Sequence, residues 1–138
     1  MDNTVIITIL ILVAIAVLFL MVASGSRKER QKSISRMLNS LEALKAGAYS
    51  DDLARRRDTM IKLDNILTKA LQYRLINTNS CGDNLKLINK RFKRTEYDRL
   101  WEAHKLRNRI VHDDLDVSEN EAQDAYKIYN MSIHRILQ

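Results

Sequence analysis

The sequence predicts an all-α protein, with one N-terminal transmembrane helix followed by a bundle of four to five helices. Three observations carry this expectation. The 138 residues include no Pro and only three Gly, so few positions force a break. Apolar residues recur at i, i+3, i+4 and i+7, and no alternating strand pattern appears. The chain also opens on a long apolar run.

That run, Val5 to Ala23, is interrupted only by Thr8. At 1.5 Å per residue it spans about 28 Å, close to the hydrocarbon thickness of a bilayer. A secretory signal peptide would need a basic segment first, and residues 1–4 contain no Lys or Arg. A pilin-type leader would need the same basic segment and an early Glu in the helix. Arg27, Lys28, Arg30 and Lys32 follow the run instead. The asymmetry predicts an uncleaved single-pass anchor in a bacterial inner membrane, with residues 1–4 outside and the rest in the cytoplasm. Residues 24–32, opening on Ser24-Gly25-Ser26, read as a break and a basic juxtamembrane linker.

Residues 33–138 read as the cytoplasmic domain. Ile34, Met37, Leu38, Leu41 and Leu44 mark a first helix over 33–46, ended by Gly47. Ser50 is a candidate N-cap for a second helix over 51–76, with Leu53, Met60, Leu63, Leu67, Ala70, Leu71 and Leu75 inward. Its Arg55-Arg56-Arg57 run reads as a solvated face, with nucleic-acid contact as the alternative. Residues 77–84 form a polar turn. A short third helix over 84–92 turns Leu85, Ile88 and Phe92 inward. The fourth runs over 95–111. Ser118 and Glu121 form a capping box for the fifth, which carries Ala122, Ala125, Tyr126, Tyr129, Ile133 and Ile136 on one face.

Charge is uneven. All 23 Lys and Arg lie beyond residue 26, and the last segment, after His112, is acidic. Lys90, Arg91, Lys93 and Arg94 form a basic cluster suited to a polyanion such as RNA. The single cysteine, Cys81, has no Cys or His at ligand spacing in the sequence, so no metal site is expected, and no cofactor motif is present. It reads as a buried or idle thiol.

The fourth helix carries the functional signal. On a helical wheel Leu100, Ala103, Leu106 and Ile110 form an apolar arc, and His104, Arg107 and Asn108 fall inside it. His112 falls at its edge beside Trp101. A guanidinium among packing residues is costly without a partner. The helix therefore directs polar chemistry at something other than bulk water.

Arg107-Asn108 followed by His112, closing the fourth of five helices, resembles the motif of the HEPN superfamily of helical-bundle domains. The sequence around it, Leu100 to Leu106 before and Asp113 after, resembles small membrane-anchored bacterial members. The resemblance covers residues 33–138. It implies a metal-independent endoribonuclease, toxin-like or related to phage defence, whose composite site forms where two chains meet. Arg107 would hold phosphoryl oxygens and His112 would transfer a proton, with an unperturbed pKa near 6.5. Asn108 would orient imidazole or phosphate. His104 and Asp113 are accessory candidates. The implied partners are a second copy, RNA, the membrane and an antitoxin or other regulator. The alternative is a non-catalytic HEPN-like module mediating protein interaction or dimerisation at the membrane. In that case Arg107 is paired with an acidic neighbour inside the bundle, and His112 simply favours a helix C-terminus.

Overall fold

The computed structural model describes residues 2–138, and among them only helices and connecting turns occur. The helices are α1 (Asn3–Ala43), α2 (Lys45–Ala48), α3 (Leu53–Leu75), α4 (Cys81–Leu87), α5 (Arg94–His112) and α6 (Glu119–Leu137), with a 3-10 turn at Asn89–Arg91. The chain divides into two compact units, residues 1–36 and 37–138.

In the first unit the apolar run is helical with none of its residues buried, and it is long and apolar enough to cross a membrane. The apolar run ends at Ser24-Gly25-Ser26 as read from the sequence, but the helix does not. The basic juxtamembrane segment 24–32 is helical, and the helix expected from residue 33 is the continuation of α1. The physical reason is local. Ser24 Oγ donates to the Leu20 carbonyl at 2.7 Å and Ser26 Oγ to the Ala23 carbonyl at 3.1 Å, so both hydroxyls bond within the helix. One Gly costs only about 1 kcal/mol in a helix, too little to break it.

In the second unit α3 is the central element, packed by α2, α4, α5 and α6. Met60, Leu63, Leu67, Ala70 and Leu71 of α3 are buried, as their spacing predicts, with Leu41, Leu85, Leu100, Ile110, Tyr129, Ile133 and Ile136 completing the core. Burying side chains of this size contributes about 1.5–3 kcal/mol each. The α3 cap is Asp52, not Ser50. Asp52 Oδ1 accepts from the Ala54 amide at 3.0 Å, while Ser50 Oγ accepts from the Asp52 amide and shapes the turn before it. The helix after the polar turn starts at Cys81, earlier than expected, because Ser80 caps it on the Asp83 amide. The Ser118–Glu121 capping box opens α6 as expected.

Two close approaches fix how the elements meet. A Cβ on Gly47 would lie 2.0 Å from Thr59 Oγ1, so α2 seats on α3 only because that residue has no side chain. Glu96, near the start of α5, forms a two-pronged pair with Arg135 at the end of α6, whose guanidinium also lies over the Phe92 ring. That pair, with the Lys93 amide, holds the Glu96 carboxyl below the usual carboxylate range.

The arginine run on α3 is not a solvated face. Arg56 is buried and bonds the Val117 carbonyl through Nε at 3.0 Å and the Ser50 carbonyl through Nη1 at 2.9 Å. Arg57 pairs with Asp114, in the connector between α5 and α6. Two of the three arginines are thus spent on pinning loops to α3.

Candidate functional site

The site is organised by a residue for which the sequence carried no motif. Asp64 lies on α3 and is only 2% exposed. An isolated carboxylate at that depth is strongly disfavoured unless donors surround it. The donors come from three directions. Its Oδ1 accepts from Tyr129 Oη of α6 at 3.0 Å and faces His104 Nδ1 of α5 at 2.9 Å. Its Oδ2 lies 3.7 Å from Arg107 Nε of α5, an ion contact longer than a hydrogen bond. Cys81 Sγ of α4 approaches Oδ1 at 4.0 Å.

These contacts assign the hydrogens. With the carboxylate as acceptor, a neutral His104 places its hydrogen on Nδ1 and leaves Nε2 as an acceptor. Asn108 Nδ2 donates to that Nε2 at 3.3 Å. The Asn108 amide is thereby oriented with Oδ1 outward, where it accepts from Arg107 Nη1 at 3.0 Å. A continuous chain runs from Asp64 through His104 and Asn108 to Arg107, and Arg107 returns to Asp64. The Trp101 ring packs edge-on against His104, with centroids 5.7 Å apart.

Electrostatics follow from burial. Burial pushes the Cys81 thiol up to about 12, and the Asp64 charge adds to the shift, so the sulfur stays protonated. Burial and the same carboxylate hold Tyr129 well above its ordinary value. Arg107 is the compensating charge, with its side chain 26% exposed and Nε enclosed without a hydrogen-bond partner.

His104, Arg107 and Asn108 therefore stand together, inside the arc where the wheel placed them. His112 does not join them. It closes α5 exposed to solvent, one turn beyond Asn108 on the same face. Asp113 is exposed and serves as the α5 C-cap, its amide donating to the Arg109 carbonyl at 2.8 Å, while Asp114 turns away to Arg57. Lys90, Arg91, Lys93 and Arg94 are all exposed, at the other end of α5. Arg94 and Arg107 are thirteen positions apart, about 20 Å along the axis. The basic cluster and the motif are not one contiguous patch. A cleft of about 250 Å³ between α5 and α6, lined by Arg99, Glu102, Arg109, Glu121 and Asp124, lies on the opposite face of α5 and holds none of the motif.

The expectation that Cys81 has no metal-ligating neighbour does not hold in three dimensions. Asp64, Cys81 and His104 each offer a donor atom, and these lie within 4.8 Å of one another. Sequence spacing missed the group because its members come from three different helices.

No protein-family model, curated protein or solved structure matches this chain.

Proposed function

We propose that the chain is a membrane-anchored, metal-independent endoribonuclease of HEPN type. The observation that carries this reading is the state of Arg107. Its Nε is held toward a buried carboxylate and one Nη toward Asn108, while a quarter of the side chain still reaches solvent, on the helix that ends in an exposed histidine. A guanidinium fixed from behind loses little freedom when it grips a phosphate. The His112 imidazole can take a proton from a reacting 2′-hydroxyl or give one to a leaving oxygen. One copy supplies a single Arg and a single exposed His on an open surface. Two copies meeting along α5 would enclose the phosphate between paired motifs. In this reading residues 5–23 anchor the bundle in a bacterial inner membrane with residues 1–4 outside, and the exposed basic cluster guides RNA.

A second reading has its own support. Arg107 already has an internal acidic partner, as a purely structural arginine would, and His112 has no oriented contact with the Asp64 group. On those grounds the bundle serves as a non-catalytic interaction module at the membrane. The test that separates the two uses the full chain in detergent micelles, RNA and excess EDTA. The nuclease reading expects cleavage leaving 2′,3′-cyclic phosphate ends, lost in Arg107→Ala and in His112→Ala. Cleavage that persists in both variants, or intact RNA with the dimeric wild type, removes it.

A further inference from the structure

We propose that Asp64, Cys81 and His104 form a binding site for a divalent d-block cation of the zinc type, and that filling it loosens the Asn108–Arg107 contact. The three donors are a carboxylate oxygen, a thiol sulfur and an imidazole nitrogen, carried by α3, α4 and α5. All three residues are buried, at 2%, 6% and 9% exposure. Asp64 Oδ1 is 2.9 Å from His104 Nδ1 and 4.0 Å from Cys81 Sγ. Metal–N and metal–O bonds of about 2.0–2.2 Å with a metal–S bond of about 2.3 Å separate tetrahedral ligands by roughly 3.3–3.6 Å. Nitrogen and oxygen must therefore part by a few tenths of an ångström, and sulfur and oxygen must close by about half of one. A mixed S, N, O set suits zinc or cobalt, whereas magnesium and calcium require oxygen ligands.

The neighbouring guanidinium does not block the site. His104, Tyr129 and Cys81 converge on Oδ1, and Arg107 faces Oδ2. A metal on Oδ1 leaves Arg107 as the outer partner of the same carboxylate. The thiol proton leaves to solvent, so dication, thiolate and carboxylate sum to zero and the partly exposed Arg107 carries the net positive charge toward solvent. Three protein ligands leave a fourth position open.

The link to the motif follows from the hydrogens. Nδ1 must give up its proton to bind metal, so neutral His104 carries its hydrogen on Nε2. That N–H then faces the Asn108 Nδ2 donor across 3.3 Å. Turning the amide by half a revolution restores a bond to His104, but it presents Nδ2 to Arg107 Nη1, donor against donor. Arg107 loses the 3.0 Å bond that held it. The regulatory consequence, inhibition of RNA cleavage by zinc, rests on the proposed nuclease activity. The metal site itself does not.

The probe is cobalt(II), titrated into metal-stripped, tag-free full chain in detergent. The expected result is a near-ultraviolet thiolate-to-cobalt charge-transfer band with intense visible bands of tetrahedral cobalt, saturating at one equivalent and displaced by zinc. Cys81→Ser should lose the charge-transfer band, and His104→Gln should weaken binding by more than about tenfold. His112→Gln should match the wild type. A spectrum without the thiolate band, one that survives Cys81→Ser, or equal loss in His112→Gln overturns the site. Circular dichroism of Cys81→Ser, which changes one buried atom, separates lost ligation from lost folding. RNA cleavage with and without zinc then tests the coupling. Inhibition of the wild type but not of Cys81→Ser supports it, and equal inhibition of both refutes the coupling alone.

Discussion

Replacing Asp64 by Asn isolates what a single negative charge does at the centre of the bundle. The side chain keeps its shape, so the change is electrostatic. The carboxylate accepts from Tyr129 Oη and His104 Nδ1 and balances Arg107. Hydrogen bonds to a charged acceptor contribute about 1.5–3 kcal/mol each, against about 1 kcal/mol for neutral pairs. The amide oxygen of Asn retains the weaker version of both. Its NH₂ then faces Arg107 Nε, donor against donor, beside a guanidinium that has lost its counter-charge. Arg107 is partly exposed, so the penalty falls below the 3–5 kcal/mol typical of a fully buried broken pair. The sum is a loss of about 2–4 kcal/mol, a large share of the 5–15 kcal/mol of a typical domain. For a bundle of this size the thermal midpoint should fall by at least about 8 °C. Urea and thermal unfolding of the full chain in micelles, followed by circular dichroism, measure this. Tyr129→Phe, which removes one of these charged-acceptor bonds but leaves Arg107 its counter-charge, should cost about 1.5–3 kcal/mol. A midpoint for Asp64→Asn within the error of the wild type would show that the carboxylate is not the hub described here.

Other consequences can be checked with small changes. Gly47→Ala should destabilise by about 1–3 kcal/mol through its clash with Thr59 Oγ1, and Thr59→Ala in the same chain should recover most of the loss, read as a coupling energy in a double-mutant cycle. Cys81 in the metal-free folded chain should resist iodoacetamide at pH 8, because its thiol titrates only near 12, and should react once urea unfolds the bundle. The lowered Glu96 carboxyl means that the Glu96–Arg135 pair stabilises fully above the ordinary glutamate range and loses that contribution as pH falls through the lower folded value. The urea midpoint of the wild type should therefore fall more between pH 7 and pH 3 than that of Glu96→Gln.

How much of this was legible in the sequence depended on the range of the interaction. Periodicity located the core faces of α3, α5 and α6, because burial follows helical spacing wherever one side packs. The wheel also placed His104, Arg107 and Asn108 on the packed side of α5, where they lie. Local caps were half legible. Ser118 with Glu121 was found, while Ser50 was preferred to Asp52 because both are good acceptors and only backbone geometry chooses. The helix through residues 24–26 was missed since Ser hydroxyls can cap or continue a helix equally well from composition alone. Asp64 and its partners were out of reach. Asp64 lies 40 and 65 residues from His104 and Tyr129, and a lone acidic residue in a helical stripe reads as surface until the fold surrounds it. One signal could have flagged it. Asp64 stands directly after Leu63 and before Ile66 and Leu67, within the inward arc of α3.

The account turns on Arg107 as an internally braced, outward-reaching grip on phosphate, and the most direct test is the RNA cleavage rate of Arg107→Lys in EDTA beside the wild type. Lysine keeps the charge but has neither the Nε that faces Asp64 nor a second donor plane for phosphate. The rate should drop by about two orders of magnitude or more while the circular dichroism spectrum is unchanged. A lysine variant that cuts as fast as the wild type would contradict the account.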